Sequence, residues 1–379
     1  MSTTPLWKPD WPAARQAHLR WWERKGMVLW LTAQRPTPHA DLPQPPPSAS
    51  PEQAWFDAPH RIAWSAYDLS RTEFLAESFP QANIQLGPGS LSTFLGAEPQ
   101  VDWNTVWYKA CIKDPDTYGP IRFNPHNNHW LNVHLATIDE ALRQSQGRWL
   151  VGIPDLIENM DTLASLRGDE ALFFDLIERP EWVFERLGEI NTAFFQAFDL
   201  FYERIRDEEN GSIFNPFCIW GPGKTAKVQC DISASLSPRM FRRFVVPHLD
   251  AQCQWLDYSL YHLDGTTCLQ HLDALLEIAS LDAIEWTPQD QSQPGGGSPR
   301  WYDLYRRIKA AGKGLQVVGV ADHELLPLLD AIGPQGTYVM LSGSRTLDQA
   351  EKLLKAVEPY RRTDAIDCVS PTHSQEVFR

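Results

Sequence analysis

The stretch Ser259-Leu260-Tyr261-His262-Leu263-Asp264-Gly265 decides how this chain is read. It is a short apolar run closed by polar groups and a glycine, the pattern of a strand buried inside a sheet. Side chains two apart on a strand share a face, so His262 and Asp264 point the same way, and Gly265 permits a sharp turn after them. Paired polar groups at the end of such a strand are where a parallel α/β protein carries its chemistry.

Working outward, further short apolar runs lie at 27–32, 83–86, 149–153, 228–231, 283–286, 315–320 and 338–341. The segments 181–205, 238–255, 269–279 and 301–311 carry apolar residues at helical spacing. Alternation of this kind predicts a parallel sheet, and eight strands favour closure into a (β/α)8 TIM barrel over an open doubly wound sheet. The expected organisation is one barrel domain over 1–379, with 1–60 a Trp-rich helical and Pro-rich segment packed on it. The prolines of 36–51 exclude regular helix or central sheet there, and 288–299, with Gly295-Gly296-Gly297, reads as a flexible loop. Gly221-Pro-Gly223 with Lys224 and Thr225 is similar to a phosphate loop only superficially; it lacks the GxxxxGK[ST] spacing and reads as a turn.

Composition narrows the function classes. The chain has 379 residues, 43% apolar and 22% charged, enough for a large core. Its net charge of -14 and the lack of any Lys/Arg run argue against nucleic acid or an anionic membrane surface as partner. With no apolar leader among the first ten residues and no long uncharged apolar stretch, a cytoplasmic location is expected. The six cysteines form no CxxC pair, so free thiols are expected rather than a zinc ribbon or a disulfide framework. Sixteen tryptophans supply core, and some are available to stack on a flat or sugar-like ligand.

The polar residues that end the strands form an acidic ring: Asp155, Asp231, His262, Asp264 and Glu285, with Ser342 after the last run. Carboxylates crowded into one cavity raise one another's pKa values, which is how a site gains both an acid and a base. His262 and Asp264 can share a proton, a substrate group or a metal ion; the structural alternative is a core histidine beside a helix-capping aspartate. Asp231 has a competing capping role before Ser237-Pro238. In the Asp155-Leu-Ile-Glu158-Asn-Met-Asp161 stretch, Asp155 ends the strand and is kept, while Glu158 is discounted. Glu285 and Trp286 face opposite sides, so only one lines the cavity. Tyr261, His271 and Trp220 complete the expected substrate contacts, and His126, His129 and His134 read as solvated loop histidines.

In this order the stretches resemble the uroporphyrinogen decarboxylase superfamily, which includes corrinoid-dependent methyltransferases. The residues that carry the resemblance are Gly152-Ile-Pro-Asp155 with Leu166-Arg-Gly168; Cys230-Asp231 with Leu236-Ser-Pro238, Phe241, Phe244 and Pro247; and Tyr261-His-Leu-Asp-Gly265. Leu281-Asp-Ala-Ile-Glu-Trp286, Ala311-Gly-Lys313, Gly336 and Ser342-Gly-Ser344 follow. The resemblance implies a (β/α)8 barrel with its funnel at the strand C-termini. The heme-pathway decarboxylases carry an arginine-rich segment where this chain has Leu29-Trp-Leu-Thr-Ala-Gln-Arg35, and one arginine is poor provision for a polycarboxylate. The thiol-activating methyltransferases hold zinc with His-x-Cys and a late cysteine, where this chain has His262, Asp264 and Ser342 or Ser344. A metal such as zinc would here rest on His262 and Asp264, a harder donor set that suits an oxygen substrate.

The leading expectation is methyl transfer from a small O- or N-methylated substrate to a corrinoid on a partner protein. His262 and Asp264 would bind or protonate the leaving heteroatom, with Asp231 and Asp155 assisting. The alternatives are acid/base hydrolysis of a glycoside with Trp220 and Trp286 stacking on the sugar, a decarboxylase-like lyase, and a binding protein without catalysis. A homodimer is compatible with each.

Overall fold

The computed structural model describes residues 5–288 and 293–361. Its centre is a seven-stranded sheet. In chain order the strands are β1 (Met27–Gln34), β2 (Thr72–Ala76), β3 (Thr225–Gln229), β4 (Tyr258–Asp264), β5 (Ala283–Thr287), β6 (Gly314–Val320) and β7 (Thr337–Leu341). Their spatial order is β2-β1-β7-β6-β5-β4-β3, all parallel except the β1–β2 pair.

Six of the eight expected runs therefore fall in ladder strands, 228–231 only through Val228 and Gln229. The other two do not: 83–86 forms no strand, and 149–153 joins its neighbours only through isolated bridges, Gln81 to Leu150 and Ile153 to Phe214. The second of these bridges leads to a separate hairpin of Gly211–Phe214 with Ile219–Pro222, and Thr225 donates its backbone N–H to Ser212 Oγ at 3.1 Å. A full eighth ladder does not form. Pro80, Pro88 and Pro154 remove donors that a regular strand needs. Gly152 lets this segment press on the hairpin, since a Cβ there would lie 2.7 Å from the Ile213 carbonyl.

The expected N-terminal attachment turns out to be integral. β1 lies inside the sheet between β2 and β7, and the helix Trp11–Trp22 covers the N-terminal ends of the strands. There Trp21 Nε1 donates to the Leu315 carbonyl and Trp22 Nε1 to that of Trp220, at 3.3 and 2.9 Å. Residues 36–50 hold no helix or strand, as their prolines require. One contiguous cluster of buried apolar side chains runs from Trp7 to Val357. It includes Tyr261, Leu263, Ile284, Trp286 and Val317 on the outer face of the sheet, under the helices.

Two expectations change. His134 is buried on the helix His129–Ser145, not in a solvated loop, and His129 opens that helix. Residues 289–292 lie outside the described residues, but Gly296 and Gly297 next to them are buried and packed against 317–324. No helix among the described residues is long and apolar enough to cross a membrane.

Candidate functional site

Parallel register sets the site. Gln229 stands beside His262, His262 beside Glu285, and Glu285 beside Gln316, so one row of polar side chains crosses four strands on one face. Near the strand C-termini, ligand atoms of Asp231, His262 and Asp264 all lie within 4.8 Å of one another. Asp231 is exposed to solvent, and His262 and Asp264 are half-buried, so the cluster is open to solvent.

Each member is held from behind. His262 Nδ1 meets Glu285 Oε2 at 2.5 Å, and the Glu285 carboxylate, fully buried, also accepts from Thr287 Oγ1 at 2.6 Å. Burial would lower the pKa of His262, but the Glu285 carboxylate, helped by Asp231, outweighs it and holds the imidazole above its usual value. The ring edge also packs on Phe217, with centroids 5.0 Å apart. After β3 the chain turns into a short 3-10 segment, Asp231–Ser235, whose first backbone N–H groups donate to Asp161. The Asp231 and Ile232 amides reach that carboxylate at 2.8 and 2.9 Å. Asp231 is crowded by protein atoms although its edge meets solvent. That crowding and the neighbouring Asp161 push its carboxyl up to about 7.

Asp155 joins the cluster at one remove. Lys227, completely enclosed, pairs with Asp155 at 2.7 Å and also donates to Gln229. Gln229 Nε2 in turn donates to Asp231 at 2.7 Å and to Asp161 at 3.2 Å. Glu158 accepts the Gln229 backbone N–H at 2.8 Å, and burial pushes its carboxyl up to about 8 against the pull of Lys227. Glu158, Asp161, Lys227 and Gln229 were not among the expected site residues. Lys227, Gln229 and Asp231 are spaced two apart on a strand and its end, and that shared face was the available signal. Nothing local marks Asp161, which reaches Asp231 across 70 positions of chain.

Four expected contacts lie elsewhere. Trp220 is buried with Trp11, Phe79 and Ile213 near the strand N-terminal ends, its Nε1 on Asp207. Trp286 is fully buried on the outer face, edge-on to Trp301 at 5.0 Å. Tyr261 alternates to that same outer face and is buried. His271 stacks on Phe241 at 4.2 Å and bonds the Ser233 carbonyl at 2.9 Å, a structural post behind the 3-10 segment. With Trp220 and Trp286 in the core, the stacking platform expected for a sugar is not built from them.

The chain matches no family model and no curated protein. Among solved structures it is similar to a methyltransferase from Methanosarcina mazei, with a TM-score of 0.58 over 92% of this chain and 98% of that one, at 11% identity. At that identity the likeness is one of fold. It sets this mostly parallel α/β architecture beside that of an enzyme.

Proposed function

We propose that the chain is a methyltransferase of (β/α)8 type, moving a methyl group from a small O- or N-methylated substrate to a corrinoid carried by a partner protein. The observation that supports it is the convergence of Asp231, His262 and Asp264 at the strand ends, on a fold shared with a methyltransferase. The donor set also fits a divalent cation such as zinc. Two carboxylates and an imidazole meet at one point, and the carboxylate on the far nitrogen of His262 is the support that metal-bound histidines carry. Crowded negative charge around Asp231 is what a cation would relieve.

When bound, the cation supplies Lewis acidity toward the substrate heteroatom and the reduced corrinoid supplies the nucleophile. The chain's own part is binding and orientation. Breaking the methyl–heteroatom bond leaves its electron pair on the heteroatom. With Nδ1 engaged by Glu285, His262 would hold the cation through its other nitrogen, Asp264 beside it would orient the substrate, and solvent, to which the cluster is open, can give that atom its proton. Asp161 and Gln229 hold Asp231 in place.

The test is methyl transfer from a panel of methyl ethers and methylamines to free reduced cobalamin, followed by the change in the corrinoid spectrum. Activity should depend on added zinc and fall at least about a hundredfold in His262→Ala and Asp264→Ala, since a catalytic cation contributes several kcal/mol and each variant removes one of its ligands. Turnover of any substrate at equal rate in both variants removes the proposal.

A further inference from the structure

A cavity of about 450 Å³ opens between the helix Ala58–Ser70 and the segment 81–83. Its walls include Arg61, Trp64 and Asp68 from the helix, Gln81 and Asn83 from the segment, and Ala54. Arg61 is the unusual member. It donates to the Ala54 carbonyl at 2.7 Å, to Asn83 Oδ1 at 3.4 Å and to the Gln85 carbonyl, and its buried Nε has no acceptor. Among the described residues no carboxylate pairs with it, in a chain whose net charge is -14. Burial alone brings this guanidinium down to about 10. A half-buried charge that no carboxylate pairs is costly, and a bound anion would offset that cost.

We propose that this cavity binds a small monocarboxylate bearing a hydroxyl or amino group, with the carboxylate on Arg61. A single guanidinium balances one negative charge. A dianion such as phosphate would leave charge uncompensated and would face Asp68, two helical turns along the same face. The hydroxyl or amino group answers the acceptors in the wall: Asp68, and Gln81 Oε1, which is buried without a partner. Gln81 is held in that orientation because its Nε2 donates to the Asn215 carbonyl at 2.9 Å. Trp64 and Ala54 supply the apolar wall for the ligand's body. The volume is that of a small-molecule site. The same segment leads to the acidic cluster: Gln85 donates to Asn215 and accepts the backbone N–H of Asp155.

Calorimetric titration of the full chain with 3-hydroxybutyrate, its neutral amide and inorganic phosphate tests this without any turnover. The acid should bind, and the amide should bind at least about tenfold more weakly, as expected for loss of a charge-assisted contact. Arg61→Met should weaken the acid by at least about tenfold. Because Arg61 also ties the helix to 81–85, Ala54→Trp is the second variant: it fills the cavity, leaves Arg61 in place, and should abolish binding. The proposal is overturned if the acid does not bind, if it binds both variants as it binds the natural chain, or if phosphate binds as tightly as the acid. Since the readout is binding alone, failure here leaves the methyl-transfer test standing, and the reverse.

Discussion

Glu285 governs how His262 is presented. With Nδ1 engaged by a buried carboxylate, Nε2 is the nitrogen free to meet a cation or a substrate atom. Glu285→Gln keeps the shape and removes the charge. It should weaken zinc binding by roughly 10–100-fold, the usual cost of losing the partner behind a metal-bound histidine. Competition against a chromogenic chelator measures this, and His271→Gln serves as control. An unchanged affinity in Glu285→Gln means that no metal rests on His262. His271 and His262 look alike in sequence, each preceding a leucine. They separate only in space, one stacked on Phe241 and bonded to a carbonyl, the other at the open cluster.

At the scale of elements, local pattern was informative where one strand or helix settled its own state. The runs at 259–263, 283–286, 315–320 and 338–341 became β4 to β7, and 181–205 became the helix Pro180–Ile205. The helix expected over 238–255 does form, with a π turn at Phe241–Val245 just before Pro247, whose missing N–H and ring disturb the preceding turn. Pattern failed where neighbours decide. The glycine run at 295–297 reads as slack but serves close approach. A Cβ on Gly296 would lie 2.1 Å from the Val318 carbonyl, and Tyr305 Oη donates to the Gly296 carbonyl at 2.6 Å. Gly296→Ala should therefore destabilise by about 1–3 kcal/mol, the cost of overpacking, read as a lower urea midpoint with an unchanged slope. A midpoint equal to that of the natural chain would mean the two segments are not in contact.

For the molecule as a whole, buried histidines set the acid limit of stability. His18, on the helix that covers the strand N-termini, is brought down to about 4 by burial and by Lys8, against a bond to the Glu77 carbonyl. His134 is brought down to about 3 by burial and by Arg61. Unfolded histidines titrate near 6.5, so as pH falls below that value the unfolded chain takes up protons that the folded chain refuses. Stability is then lost from about pH 6.5 downward, toward 4 for His18 and 3 for His134, at up to about 1.4 kcal/mol per pH unit for each. Comparing the natural chain with His18→Gln in urea at pH 7 and pH 5 isolates one of the two. The variant should lose about 2 kcal/mol less over that interval. Parallel pH profiles would show that His18 is protonated inside the fold.

Amino-acid order alone was enough for the alternation of strands and helices and for the pairing of His262 with Asp264, because both follow from spacing along one element. It was also enough to set Asp231 just past the end of its strand. Only the tertiary structure decided the rest: that Glu285 stands behind His262, that Asp161 holds Asp231, that Lys227 joins Asp155 to both, and that Trp220, Trp286 and Tyr261 are core. Those relations are set by register between strands and by loops far apart in the chain. No local period encodes which side chain of one strand will stand beside which side chain of the next.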